Sequence, residues 1–161
     1  MIALSKGTDA EANYRLMVET AKSFIVDETD LIALLANLSS LIKVYVDGLN
    51  WAGFYLLKGK ELVLGPFQGL PACVRIAEGR GVCGRAVLEG KPIVVDDVSE
   101  FPGHIACDSA SVSELVLPFH KNGQVYGVLD LDSPLPGRFK SLEQKYLGDI
   151  ADLLTDFLHR I

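Results

Sequence analysis

Cysteine is scarce in this chain and comes in an odd number: Cys73, Cys83 and Cys107 are the only three. Three thiols cannot all pair within one chain, so a disulfide-rich secreted scaffold is excluded. Net positive charge is also missing. Fifteen Lys and Arg stand against 21 Asp and Glu, a formal charge of −6, with no basic stripe anywhere along the chain. That pattern excludes an electrostatic footprint for nucleic acid. The opening residues, "MIALSKGTDAEANYRL", hold no long apolar run and no small-residue cleavage site. No signal peptide and no membrane span are therefore expected, and a cytoplasmic location is. No repeat, low-complexity tract or long linker divides the 161 residues, so residues 1–161 are expected to form one domain. What is present is an ordinary soluble composition, 49% apolar and 22% charged, ample for a core.

Apolar spacing of three and four predicts helices over 9–25 (Tyr14, Met17, Val18, Ala21, Ile25) and 27–47 (Leu31, Leu34, Leu35, Leu38, Leu41, Ile42). Gly48 is a plausible stop for the second. Strands follow at 50–57 and 61–67, joined by the turn "KGK", and at 72–76 and 92–98. "SELVLPFH" (113–120) and "QVYGVLDLDS" (124–133) flank "KNG", a second hairpin turn. A last helix is expected at 141–160. Helices at both ends with hairpins between them imply an α+β fold, a central antiparallel sheet flanked by N- and C-terminal helices.

"GRGVCG" (79–84) matches G-x-G-x-x-G, but a dinucleotide fold needs repeated βαβ units that this chain does not offer. The stretch reads better as the start of a short helix, "GVCGRAVLEG" (81–90), whose free N–H groups suit a small anion such as a carboxylate. The thiols are open to three readings: buried small hydrophobes, redox groups or metal ligands. Cys73, Cys83, His104 and Cys107 supply enough ligands for zinc, yet no C-x-x-C pair is present and the spacing is irregular. No metal is therefore expected, and His104 alone reads as an ordinary loop side chain. Asp130 and Asp132 lie two apart on a strand, so both point to one face while Leu129 and Leu131 point to the other. Glu114 starts the neighbouring strand, which lets three acids converge. Such a cluster is stable mainly when it holds a cation or shares protons. Trp51, Gly53 and Tyr55 also share a face, the glycine leaving a gap between two aromatics, as a pocket for a small cation with an apolar tail would need.

These pieces occur together as "LNWAGFYLL", "GPFQGLPACVRI", "GRGVCG", "PGHIACDSASVSELVLP" and "GVLDLDSP". Nearly the whole chain resembles the free methionine-(R)-sulfoxide reductases, which are built on a GAF domain. "GHIACDSAS" is the most specific of the matching runs. The departures are Arg85 where a smaller residue, often Thr, is usual, "AEGRG" in place of "PFGKG", and a proline before Gly103.

The resemblance implies a reaction in which free L-methionine (R)-S-oxide and a dithiol give methionine and a disulfide. It implies Cys107 as the catalytic cysteine, Cys73 as the resolving one and Cys83 as an auxiliary thiol. Trp51, Tyr55, Glu114, Asp130 and Asp132 match the substrate pocket. Glu114 is the first choice as proton donor to the sulfoxide oxygen. Cys107 would attack the sulfur and be left as a sulfenic acid, which a second thiol turns into a disulfide. No bound cofactor is expected. Thioredoxin is the expected external reductant, oxidative stress the expected setting, and a homodimer the expected assembly, the last on analogy alone. The rival reading is a non-enzymatic GAF module that senses a small ligand.

Overall fold

The computed structural model describes residues 3–161. Asp9 accepts from the N–H of Ala12 and so starts α1 (Ala10–Ile25). Asp30 does the same with Ala33 for α2 (Leu31–Tyr45). The second cap corrects the helix expected from residue 27: a side chain that caps at 30 leaves 27–30 outside the helix. β1 (Trp51–Lys58) and β2 (Glu61–Gln68) form the first hairpin. Short β3 (Arg75–Ala77) is followed by α3 (Gly81–Glu89) and β4 (Ile93–Val95). β5 (Ser113–Lys121) and β6 (Gln124–Ser133) form the second hairpin, and α4 (Ser141–Arg160) closes the chain.

The six strands make one antiparallel sheet in the order β3-β2-β1-β6-β5-β4, which bears out the expected α+β architecture. Two expected strands are shorter than their apolar runs. The strand expected at 72–76 begins only at Arg75; just before it Cys73 is instead bonded to Cys107, and its carbonyl accepts from the Tyr55 hydroxyl. The strand expected at 92–98 ends at Val95, after which Asp97 caps a single 3-10 turn at Val98–Glu100.

Strand alternation sends side chains to two different cores. Ala52, Phe54, Leu115, Leu117, Phe119, Leu129 and Leu131 face α1, α2 and α4, where they join Met17, Leu38, Ile150, Leu154 and Phe157 in a large apolar cluster. Each fully buried side chain of that size contributes about 1.5–3 kcal/mol. Trp51, Tyr55, Val116 and Val128 face the other way and pack with α3 through Val82, Cys83, Ala86 and Val87. Gly84 makes that approach feasible: a Cβ there would lie 2.5 Å from the Ala77 carbonyl oxygen of β3. The helical side is therefore mostly hydrocarbon, with one paired acid, Glu143, at its edge, whereas the α3 side carries a cluster of three acids. No helix among the described residues is long and apolar enough to cross a membrane.

Candidate active site

Register brings the three acids together. Glu114 on β5 stands directly opposite Asp132 on β6, and Asp130 lies one step along the same face. Gly53 and Trp51 of β1 pair with Asp130 and Asp132 in turn. One pocket is lined by all three acids, by Trp51 and Tyr55, by Cys83 of α3 and by Cys107. The convergence expected from the sequence is thus present.

No Lys or Arg side chain forms an ion pair with these acids among the described residues. Burial, then the Asp132 charge, pushes the Glu114 carboxyl up to about 8. Burial and the Glu114 charge push Asp130 well above the usual carboxylate range, and burial and Asp130 do the same to Asp132. Asp130 Oδ1 is buried and without a hydrogen-bond partner. Glu114 therefore keeps its proton at neutral pH, and Asp130 Oδ1 is left as an open acceptor. Cys83, Glu114 and Asp130 each bring one ligating atom to within 4.8 Å of the others. The wider zinc set considered from the sequence is dismantled, because two of its thiols are bonded to each other.

That bond is the second feature of the site. Cys73 and Cys107, 34 residues apart, form a disulfide with their Cα atoms 5.4 Å apart. The remaining thiol, Cys83, is buried and its Sγ lies 3.9 Å from Glu114 Oε1. Burial first, then the charges of Asp130 and Glu114, push its pKa far up, so it is a poor source of thiolate.

The aromatics do more than line the pocket. The Trp51 indole N–H donates to the Leu70 carbonyl at 3.2 Å, and the Tyr55 hydroxyl donates to the Cys73 carbonyl at 2.8 Å. Both pin the loop that carries Cys73. The gap expected at Gly53 is not open space. A Cβ there would lie 2.3 Å from the Cβ of Phe67 and 2.7 Å from the Trp51 ring. The glycine lets Trp51 lie flat on its own strand, stacked on Phe67 at 5.2 Å and on Tyr55 at 5.9 Å. Asn50, just before β1, donates to Asp108 at 2.9 Å and to Ser111 at 3.1 Å, and so ties down the loop after Cys107.

The structure also gives the positions of three residues to which the sequence reading assigned no site role. Arg85 is on the surface, paired with Glu89 at 2.6 Å, and takes no part in the pocket. Arg80 does line the pocket, at the start of α3. His104 lines it too, with its Nε2 3.6 Å from Glu114 Oε2. Burial lowers the pKa of this imidazole. The sequence signal for both was weak: Arg80 sits inside a glycine turn, and His104 lies in a loop with no alternation to give its direction.

Comparison with known proteins agrees with this geometry. The family model described as "GAF domain" matches residues 25–155. The chain is 52% identical over 152 residues to the Bacillus subtilis protein YtsP, covering 93% of each chain. It is 48% identical over 136 residues to the free methionine-R-sulfoxide reductase of Escherichia coli, covering 84% of this chain and 82% of that one. Among solved structures, the free methionine-R-sulfoxide reductase of Neisseria meningitidis in complex with its substrate superposes with a TM-score of 0.94. That match has 44% identity and covers 99% of this chain and 98% of the other.

Proposed function

The chain belongs to the GAF-domain family and, within it, to the free methionine-R-sulfoxide reductases; from that premise we propose that it reduces free L-methionine (R)-S-oxide to L-methionine through Cys107, with Cys73 as resolving thiol and thioredoxin as reductant. The observation that carries the proposal is the Cys73–Cys107 disulfide at a pocket of protonated acids.

The substrate is a zwitterion with a polar S–O group and a methyl end. Asp130, with its open Oδ1, and Asp132 receive the ammonium. A positive charge there favours their ionised forms, so binding releases protons. The free N–H groups at the start of α3, with Arg80 beside them, suit the carboxylate. Trp51 covers the methyl end. Glu114, protonated at neutral pH, gives its proton to the sulfoxide oxygen as the Cys107 sulfur attacks the substrate sulfur. Attack forms an S–S bond between Cys107 and the substrate; the protonated oxygen then passes to the Cys107 sulfur as the substrate S–O bond and this S–S bond break, and methionine leaves. The sulfur of Cys107 is oxidised by two electrons and that of the substrate is reduced by two. The Cys73 thiol then displaces water from the Cys107 sulfenic acid to give the disulfide. A dithiol such as thioredoxin restores both thiols. Cys83 is an auxiliary thiol whose Sγ lies 3.9 Å from Glu114 Oε1. A homodimeric assembly and a cytoplasmic location belong to the same reading, and sedimentation tests the first.

The decisive experiment is a thioredoxin-coupled NADPH assay on separated R and S sulfoxides, free and as N-acetyl amides. Oxidation of NADPH with the free R form alone is expected. A peptide-like substrate lacks both charges and leaves Asp130 and the α3 N–H groups unpaired, which a site built for them penalises heavily. Equal rates on the blocked substrate overturn this pocket assignment.

A further inference from the structure

We infer that His104 is the proton relay of this site: it returns to Glu114 the proton that leaves the Cys107 thiol, and so resets the acid in each turnover. The inference rests on the reading of Glu114 as proton donor given above.

The geometry narrows the routes to Glu114. Its Oε1 faces Cys83 on α3, at 3.9 Å from the thiol sulfur. On β6 it faces Asp130, which is buried, and Asp132, which stands across the strand pair. From β1, Tyr55 looks into the same space. Cys83 and Tyr55 both have pKa values raised by burial and by these carboxylates, so neither gives up a proton readily. Asp130 and Asp132 are needed for the ammonium. The Oε2 side is different. There His104 Nε2 lies at 3.6 Å, on a side chain that keeps 16% of its surface exposed. His104 also lies three residues before Cys107 in the same loop, so one short segment carries both the thiol that loses a proton and the base beside the acid that needs one.

The energetics run in the required direction. In water an imidazolium does not transfer its proton downhill to a carboxylate, because the carboxylic acid is the stronger acid. Here the order is inverted. Burial lowers the His104 pKa, while burial and Asp132 raise that of Glu114 to about 8. A proton taken up by His104 therefore moves on to an ionised Glu114. The balance closes: Glu114 gives one proton to the sulfoxide oxygen, the Cys107 thiol releases one, and His104 carries the second to where the first was lost. The 3.6 Å separation is longer than a hydrogen bond, as is common for catalytic pairs before substrate tightens them.

The test compares wild type and His104→Gln in the oxidised-to-reduced cycle and in a single turnover. Glu114 starts protonated, so prereduced His104→Gln, which at first lacks only the acceptor of the Cys107 proton, should release its first methionine, without added reductant, with a smaller loss of rate than in steady state. Steady-state kcat should fall about tenfold or more, with KM little changed, and added imidazole should restore much of the loss. Rescue by imidazole also shows that the variant is folded. An unchanged kcat from pH 6 to 9 overturns the relay. So does an equal loss in single and multiple turnovers without rescue, which instead makes His104 a prop for the Glu114 side chain. If wild-type protein itself reduces no free R sulfoxide, the reading of the site fails, and the relay with it, by a separate measurement.

Discussion

Glu114 and Glu143 are buried to nearly the same depth, 6% and 7% exposed, on opposite sides of one sheet. Glu143, in the first turn of α4, has every want supplied. The Tyr14 hydroxyl donates to it at 2.8 Å, Arg138 pairs with it at 2.9 Å, and the Lys140 N–H donates at 2.9 Å. Burial works to raise its pKa, but the Tyr14 and Arg138 hydrogen bonds outweigh this and leave it low. Glu114 has a thiol, an imidazole and two other acids for company, and its pKa goes the other way, up to about 8. Depth of burial is thus no guide to what a carboxylate does. The partners decide: Glu143 is a charged fastener between α1 and α4, and Glu114 is a stored proton.

The largest expected effect removes the chemistry on the Glu114 side altogether. Cys107→Ser should abolish turnover, since an alcohol is a far poorer nucleophile than a thiol at neutral pH, while substrate binding by calorimetry survives. Appreciable thioredoxin-supported activity in that variant would take Cys107 out of the nucleophile role.

Next comes the pair of glutamates itself. Glu114→Gln should lower kcat about 100-fold or more and leave the melting temperature equal or higher, because a buried acid that resists ionisation has been replaced by an amide. Glu143→Gln should do the reverse. Leaving the partly buried Arg138 without its counter-charge should lower stability, with kcat of the folded protein retained. The loss should be less than the about 3–5 kcal/mol of a fully buried pair, because the bonds of Arg138 to Tyr14 and to the Asp47 carbonyl remain. Kinetics and thermal melts of the two variants, measured side by side, break the comparison if both lose the same property.

A smaller effect is expected from the ammonium acids. Asp130→Asn or Asp132→Asn should raise KM more than it lowers kcat, because these groups hold the substrate in ground and transition states alike. Wild-type kinetics in both would return the acids to the role of an ordinary buried face.

The smallest effect sharpens the contrast through pH. The Glu114 carboxyl has a folded pKa above its unfolded one, so the folded state binds the extra proton and the stability it lends is lost as pH rises toward 8. Between pH 8 and 6.5 the substrate-free protein should therefore gain stability on acidification. The slope is about 1.4 kcal/mol per pH unit for each proton involved. Below about 6.5 His104, whose folded pKa is lowered, opposes the trend. Glu114→Gln should flatten the slope in denaturant titrations, and Glu143→Gln should not.

Much of this was legible in the residue pattern, for identifiable reasons. β6 and α4 match their expected limits, 124–133 and 141–160, because each carries an unbroken period, of two and of 3.6. The convergence of Glu114, Asp130 and Asp132 follows from alternation plus a tight hairpin, both local. Apart from one local cap, at Asp30, what escaped depends on contacts between distant segments. The side chain of Asp30 moves a helix start by four residues. Phe67 becomes the stacking partner of Trp51 only once β2 is laid beside β1. The double duty of Tyr55, as pocket wall and as anchor for the Cys73 carbonyl, needs a residue 18 positions away. His104 sits in a loop without periodicity, so its aim at Glu114 could not be read from spacing.

The Cys73–Cys107 bond also governs what an excess of oxidant can do to the molecule. A cysteine left at the sulfenic stage is one collision from the sulfinic acid, and beyond that lies the sulfonic acid, from which no thiol brings it back. Joined to Cys73, the sulfur of Cys107 has stepped off that ladder onto a rung that any suitable dithiol can undo. On the proposed mechanism, shortage of reductant would leave the chain idle with the Cys107 sulfur capped by Cys73, and activity would return on reduction without new synthesis, so the oxidised form would be the one in which the protein can wait.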